Sequence, residues 1–370
     1  MYLKNGVWTK GSPSKQKPNT PRVVTHMSQR SVVAPSTRRF DNAMQGKARI
    51  CIKRSLGGLG DIIMATPIAR GAKRKYPDSH VTYAVDTKYA NGDLLACLEN
   101  IPFIDEIVDY TLIDRDHFDI FADITRTGLS EERPYTIPPN RIDLFAQAAG
   151  IPLFGMTRPI YTMTEEERVW GKEFVSKALG TKKPKGIIAI QTRSNDPRRS
   201  WPDYRVREFI TLARAEGYHC FIFEWGGAEI EQQWRLGGST LVFNYKQRQA
   251  AAILEACDIL VCPDSMMLHL GGALNMKCVS LFGAMPPGCR INHYPNCIAI
   301  VNQQLSCLGC IYSSCPNNFE CMKSILPQAV IGAVKAKLSV EHVDDEMNVP
   351  EESISAQSYS VPKEIKTFAL

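Results

Sequence analysis

The residues best suited to chemistry follow a short apolar run late in the chain. The run 259–262 is typical of a buried strand, and Asp264 and Ser265, which come just after it, are residue types that begin helices. The first amides of a helix have no intrahelical partner, and the helix dipole favours an anion beside them. We therefore predict a phosphate-binding site around Asp264, Ser265 and Met266, with His269 one turn along the helix. A capped helix that binds nothing is the commoner arrangement in α/β proteins.

A second acid occupies the corresponding place after an earlier strand. The strand-like run 50–52 leads into a glycine-rich loop that contains Gly58 and Gly60 and is followed by Asp61. A helix pattern starts there, so the Asp61 carboxylate would lie at a helix amino end, where it is favoured in its ionised form. An ordinary helix cap explains the residue type equally well. The glycine spacing does not match the GxGxxG pattern of dinucleotide-binding folds.

Strand-like and helix-like segments alternate along the chain, which is typical of a parallel sheet covered by helices. The strand-like segments are 50–52, 81–85, 106–108, 120–124, 187–191, 219–223, 241–243, 259–262 and 279–282, and helix-like segments include 140–149, 165–179, 204–216 and 247–256. Residues 150–159 interrupt the alternation and predict a linker between two halves. Because the carboxyl ends of parallel strands meet at one edge, we expect the loops of each half to face a common cleft.

Composition divides the chain into four predicted parts, which are a basic arm (1–48), two Rossmann-like domains (49–158 and 159–340) and an acidic tail (341–370). The arm has nine Lys and Arg against one acid and no periodic apolar face. This composition predicts disorder, with a transit peptide or a polyanion-binding arm as alternatives. The tail has seven acids against two Lys.

Charge and hydropathy exclude two classes of protein. The net charge is +6, of which the body between arm and tail keeps only about +3, and this does not favour a nucleic-acid surface. No run approaches the ~18 apolar residues of a membrane span, and no signal-peptide pattern opens the sequence. We therefore expect a cytoplasmic protein with at most peripheral membrane contact.

Several short motifs occur together in a characteristic order. They are Leu59-Gly-Asp61 with Pro67 in the helix, Arg199-Ser-Trp-Pro202, Trp225-Gly-Gly-Ala-Glu229, Asp264-Ser-x-x-x-His269 and Phe282-Gly283. In this order they resemble glycosyltransferase family 9, the ADP-heptose:lipopolysaccharide heptosyltransferases, over about residues 49–337. The resemblance implies the α/β fold named GT-B, in which two Rossmann-like domains with parallel sheets face each other across a cleft. It also implies an inverting glycosyltransferase. Such an enzyme moves a sugar, heptose among the candidates, from a nucleotide-diphosphate donor (ADP-linked favoured) to a saccharide or glycolipid acceptor such as lipopolysaccharide core.

The resemblance also implies a role for each motif residue. Asp61 would be the general base, and Gly58 and Gly60 would form its loop. The donor-binding residues would be Arg199, Glu229, Asp264, Ser265, Met266 and His269. Within this set Arg199 stands where the family usually has Lys and would neutralise the diphosphate, while Glu229 would meet the ribose hydroxyls. Because guanidinium and amide groups supply positive charge, the resemblance implies no metal or other cofactor for the transfer.

One residue departs from the family pattern. Met266 stands where the family commonly has glycine, and a glycine lets the backbone approach a phosphate closely. An alternative hypothesis is therefore a catalytically inactive GT-B descendant that serves as a binding or assembly module. A different two-domain nucleotide-sugar enzyme, such as an epimerase, is a further alternative.

Four of the twelve cysteines lie close together in sequence. Cys307, Cys310, Cys315 and Cys321 fall within 307–321, among residues that form turns. In a cytosolic protein this density favours either a structural zinc site or thiols that are reduced or partly disulfide-linked. The role predicted for the segment is structural in each case.

Overall fold

The computed structural model describes residues 48–129, 131–134, 136–311, 314–315 and 317–343, together with the backbone of three short terminal strands. These strands are β1 (Leu3–Lys4), β2 (Val7–Trp8) and, near the other end, Thr367–Ala369. Strands β1 and β2 pair in antiparallel fashion within a unit formed by residues 1–34. Apart from these strands, Ala48 and residues 341–343, the predicted disordered arm and acidic tail lie outside the described residues.

The first sheet has four parallel strands in the order β5-β4-β3-β6. Its strands are β3 (Arg49–Arg54), β4 (His80–Val85), β5 (Glu106–Asp109) and β6 (Ile120–Asp123). Its helices are α1 (Leu59–Ala65), α2 (Pro67–Lys75), α3 (Asp93–Ala96) and α4 (Arg141–Ala149), with 3-10 turns at Tyr89–Gly92 and Arg115–His117. Strands β3 and β4 are buried along most of their length because helices cover both faces of the sheet.

The second sheet is also entirely parallel, in the order β13-β12-β11-β10-β7-β8-β9. Its strands are β7 (Ile187–Gln191), β8 (His219–Glu224), β9 (Thr240–Phe243), β10 (Ile259–Pro263), β11 (Cys278–Leu281), β12 (Cys297–Val301) and β13 (Thr367–Ala369). Its helices are α5 (Glu165–Leu179), α6 (Asp203–Ala215), α7 (Ala228–Trp234), α8 (Gln247–Glu255), α9 (Met266–Ala273), α10 (Gly288–Ile291), α11 (Glu320–Lys323) and α12 (Pro327–Ser339). The predicted strands are confirmed to within a few residues, whereas β12 and β13 were not predicted.

The two sheets lie on either side of the predicted linker, and the boundary of the domains at 158–159 stays a prediction. Helix α5 begins as its sequence predicts, since the Thr164 hydroxyl accepts from the Glu167 amide while the Glu167 carboxylate accepts from the Thr164 amide. None of the described helices has the length and apolar character needed to cross a membrane.

Helices α1 and α9 bring the two sheet edges together. Gly60 of α1 packs directly on α9, so that a Cβ added there would lie 2.8 Å from His269 Cδ2 and 3.4 Å from Met266 Cα. Real Cβ atoms are essentially never found closer than 3.0 Å to such neighbours, so only glycine permits this approach. The amino ends of both helices therefore open on the same space.

Candidate active site

A cavity of about 450 Å³ lies between the carboxyl edges of the two sheets. This volume is within the range of ligand-binding clefts in proteins. Predicted site residues that line it are Gly58, Gly60, Asp61, Arg199, Asp264, Ser265, Met266 and His269. The chain thus brings together residues that are up to about 200 positions apart, because both parallel sheets direct their carboxyl ends toward it.

Asp61 is held by two guanidinium groups that the sequence analysis did not identify. Its carboxylate lies 2.5 Å from Arg141 Nη1 and 3.3 Å from Arg54 Nη2, and it accepts from the Gly58 amide at 3.3 Å. Burial alone would raise the pKa of the Asp61 carboxyl, but the charges of Arg141 and Arg54 outweigh burial and lower the pKa to about 2. Asp61 is therefore ionised at neutral pH, mainly because of these neighbours.

Asp264 lies at the opposite wall, at the carboxyl end of β10. Its side chain is only 2% exposed, and its carboxylate is 3.5 Å from Arg199 Nη1 and 3.6 Å from Arg290 Nε. Burial would raise the pKa of Asp264, but the charges of Arg290 and Arg199 lower it. A buried carboxylate cannot itself attract phosphate. Its effect is to orient Arg199 and Arg290 at the cavity wall.

His269 is buried behind Asp264. Its Nδ1 atom lies 2.8 Å from the hydroxyl of Tyr294, and its Nε2 atom is 3.9 Å from Asp264 Oδ1. Burial lowers the pKa of His269 to about 3, an effect that the carboxylate of Asp264 only partly offsets. The ring is therefore neutral at physiological pH and adds no positive charge to the site.

The amino end of α9 carries the other two predicted donor-binding residues. The Ser265 hydroxyl donates to the side-chain oxygen of Gln191, which leaves the amides of the first turn of α9 facing the cavity. The side chain of Met266 lies toward α8, where its sulfur is 3.5 Å from Gln247 Nε2. The bulk that Met adds in place of glycine is therefore packed against α8, and the cavity beside it stays open.

An alternating series of charges, which we name the ion-pair chain, runs from one half to the other. Its members are, in order, Arg54, Asp61, Arg141, Glu132, Arg290, Asp264 and Arg199. Glu132, in the loop before α4, accepts two hydrogen bonds from Arg290 of α10, at 2.8 and 3.1 Å. This pair crosses between the halves. Four cations thus alternate with three anions along the series.

The other end of the cavity is lined by aromatic and amide side chains. Trp225 is 42% exposed and lies beneath the Arg193 guanidinium, whose carbon is 5.9 Å from the ring centroid. Glu224, at the end of β8, is buried and ion-paired to Arg193 Nε at 3.0 Å, although burial still raises the pKa of its carboxyl.

Glu229, the predicted ribose-binding residue, is exposed on α7 and does not line the cavity. Of the two acids that flank the Trp225 motif, Glu224 therefore reaches the cavity and Glu229 does not.

The cysteine cluster lies apart from the cavity. Cys315 Sγ accepts from the Phe319 amide at 3.2 Å, and burial, together with the thiols of Cys310, Cys315 and Cys307, raises the pKa of Cys321 to about 11. Nowhere in the described part of the chain do three or more His, Cys, Asp or Glu side chains form a group that could hold a metal ion. The four thiols lie near one another but do not form a preformed metal site, and a structural zinc ion stays a prediction.

Comparisons with known proteins agree with this architecture. Residues 139–319 match the model of glycosyltransferase family 9 (heptosyltransferase). Lipopolysaccharide heptosyltransferase 2 of Escherichia coli K12 is 30% identical over 105 residues, which cover 25% of this chain and 29% of that protein. The chain thus spans under a third of the length of the curated relatives that it matches.

Solved structures extend the likeness to both halves. A glycosyl transferase family 9 structure from Veillonella parvula superimposes with a TM-score of 0.60 at 18% identity, covering 80% of this chain and 99% of that one. The ADP-heptose lipopolysaccharide heptosyltransferase II structure from E. coli gives a TM-score of 0.58 at 17% identity, covering 78% and 98%. The predicted fold is confirmed. Residues 139–319 are therefore similar to glycosyltransferase family 9 (heptosyltransferase), within a chain that has the GT-B fold of its solved neighbours.

Proposed function

We propose that the protein is an inverting glycosyltransferase that moves heptose from a nucleoside-diphosphate donor, with ADP favoured, to a saccharide acceptor such as lipopolysaccharide core. The observation that carries the proposal is the placement of Asp61 and Asp264 on opposite walls of one cavity, each beside guanidinium groups. Family 9 sequence in the second half and the GT-B fold support the same activity.

In the proposed reaction Asp61 accepts the proton of an acceptor hydroxyl. The hydroxyl oxygen forms a bond to the anomeric carbon as the bond from that carbon to the diphosphate oxygen breaks, and the bonding electrons leave with the diphosphate. Attack from the face opposite the leaving group inverts the configuration at that carbon. A carboxylate of such low pKa is a weak base, so we infer that the proton moves late, after the attacking oxygen has become acidic.

The leaving diphosphate needs positive charge at the opposite wall. Arg199 and Arg290, both oriented by Asp264, supply guanidinium donors, and the first-turn amides of α9 supply more. In this proposal the nucleobase lies against Trp225 and the ribose lies near Glu224. The base then stacks on an aromatic face and the sugar meets a carboxylate that accepts hydrogen bonds.

Asp61→Asn tests the proposal because the amide keeps the size of the side chain and can still accept from the Gly58 amide. We expect turnover of ADP-heptose with a heptose-deficient core acceptor to fall by ~10²-fold or more, without weaker ADP binding in a calorimetric titration. Asp143→Asn is the matched control, because this exposed acid of α4 pairs with His293 outside the cavity.

Two results would decide against parts of the proposal. Transfer by Asp61→Asn at the parental rate would contradict the base assignment. A parent chain that binds none of ADP, UDP, GDP or CMP in a thermal-shift panel would favour the inactive binding module, since a ligand that binds the folded state must raise the melting temperature.

A further inference from the structure

Glu132 has a geometry that no motif in the sequence marks. Its side chain is 3% exposed, and its carboxylate pairs with two guanidinium groups at once, one from each half of the protein. Arg141 donates through Nε at 2.8 Å, with its Nη2 atom 2.5 Å from Glu132 Oε2, and Arg290 donates through Nη1 at 2.8 Å and Nη2 at 3.1 Å. Both guanidinium groups therefore contact the carboxylate in a bidentate manner, which fixes the plane of each group.

Fixing the plane of Arg141 decides what it presents to Asp61. With the Nε and Nη2 side taken by Glu132, the remaining Nη1 atom is the one that reaches Asp61, at 2.5 Å. Arg290 is held in the same way through Nη1 and Nη2, and its Nε atom is directed to Asp264 at 3.6 Å. One carboxylate thus sets the orientation of both cations, and each of them contacts a residue of the proposed reaction.

We infer that Glu132 is a positioning residue for the transfer, which holds Arg141 against Asp61 on one wall and Arg290 against Asp264 on the other. The inference rests on the proposed function. It assigns Glu132 no contact with substrate, and its effect passes through the two guanidiniums. Loss of this carboxylate should misplace the base relative to the donor, and displacements of ~1 Å near a reacting centre can cost ~10²-fold in rate.

The inference predicts a separation of turnover from binding. In Glu132→Gln the amide keeps the shape of the side chain but carries no charge, and its NH₂ group faces guanidinium donors. We expect kcat to fall by ~10-fold or more because the alignment of Asp61 is lost. ADP affinity should fall much less than kcat, because Asp264 still contacts Arg290 and Arg199 supplies a second guanidinium at that wall.

A double-mutant cycle tests whether Glu132 acts through Arg141. If it does, Glu132→Gln combined with Arg141→Gln should lower kcat by no more than ~3-fold beyond Arg141→Gln alone, since both changes disrupt one unit. Glu131→Gln is the matched control. The neighbouring Glu131 accepts only from the Gly128 amide in the same loop, among its described contacts, and Gln can still accept there. Its kcat should stay within ~2-fold of the parent.

Each outcome bears on the inference. A fall in kcat that clearly exceeds the fall in ADP affinity, without additivity in the cycle, supports it. Parental turnover by Glu132→Gln, an equal loss of ADP affinity and kcat, or fully additive effects would overturn it while leaving the proposed function intact. Melting curves of all variants identify loss of folding, and a Glu132→Gln chain that does not fold would reassign the residue to stability. A parent that transfers no sugar would overturn both this inference and the proposed function.

Discussion

A single methyl group added at Gly60 tests the close packing of α1 on α9. Gly60→Ala would place a Cβ 2.8 Å from His269 Cδ2, whereas carbon atoms in contact lie at about 3.5–4.0 Å. The ring would have to move by at least about 0.7 Å to relieve the overlap. His269 is only 3% exposed and hydrogen-bonded to Tyr294, so a shift of the ring would strain that hydrogen bond.

The magnitude follows from three effects. Overpacking of this kind costs about 1–3 kcal/mol, and a stretched or broken His269–Tyr294 hydrogen bond leaves buried polar atoms at a cost of about 1–3 kcal/mol. Replacement of a helical glycine by alanine returns up to about 1 kcal/mol. We expect the free energy of unfolding to fall by about 1–3 kcal/mol after partial relaxation. ADP should bind more weakly because the same overlap pushes the amino end of α9.

The assay is denaturant unfolding together with calorimetric ADP titration. Gly58→Ala is the control, because a Cβ at Gly58 meets nothing within 4 Å and its backbone is extended. That variant should change stability by less than about 1 kcal/mol. If Gly60→Ala were as stable as the parent and bound ADP equally well, the close approach of α1 and α9 would not exist in solution, and the shared cavity would have to be reconsidered.

The other predictions concern charge, protonation and metal. Arg199→Ala should weaken ADP binding by about 1–3 kcal/mol in calorimetry, as expected for a lost charge-assisted contact, and unchanged affinity would remove Arg199 from the donor site. His269 has a folded-state pKa of about 3, below its ordinary value, so from pH 6.5 down toward 3 the unfolded chain binds a proton that the folded chain does not. Stability should fall by about 1.4 kcal/mol per pH unit in that window. In urea titrations His269→Gln should lessen this slope, and an unchanged slope would contradict the burial of a neutral ring. Metal analysis of reduced, anaerobically purified protein should give about one zinc per chain if the cysteine cluster 307–321 binds zinc, and no metal with four titratable thiols would reject the site.

The fold could be predicted because its signals are local. A strand, a glycine-rich or capped turn and a helix follow one another within a short stretch of chain, and the β3–α1 (49–65) and β10–α9 (259–273) units repeat that order. Asp61 and Asp264 were predicted to lie at the ends of those strands, and the structure places both at one cavity. Parallel pairing alone is enough to bring such loops to a common edge.

The partners of those acids could not be predicted, because the contacts are distant in sequence. Arg141 meets Asp61 across 80 positions, and Arg290 meets Glu132 across 158. Nothing in the spacing of single Arg and Glu residues indicates such pairs. Glu224 was missed for a different reason: β8 extends to include it, one residue beyond the predicted end, and so the acid before the Trp225 motif, not the one after it, reaches the cavity.

The ion-pair chain has a consequence for how the site is prepared for its ligand. Most of its seven side chains are nearly withdrawn from solvent, with Glu132, Arg290 and Asp264 at 2–3% exposure. Withdrawing so many charges from water is costly, and their mutual attraction does little more than offset that cost, so the network adds geometric definition more than stability. The dehydration happens once, when the chain folds. The nucleotide of the proposed reaction would therefore meet dipoles and charges that already point at it, and little of its binding energy would be consumed in turning them.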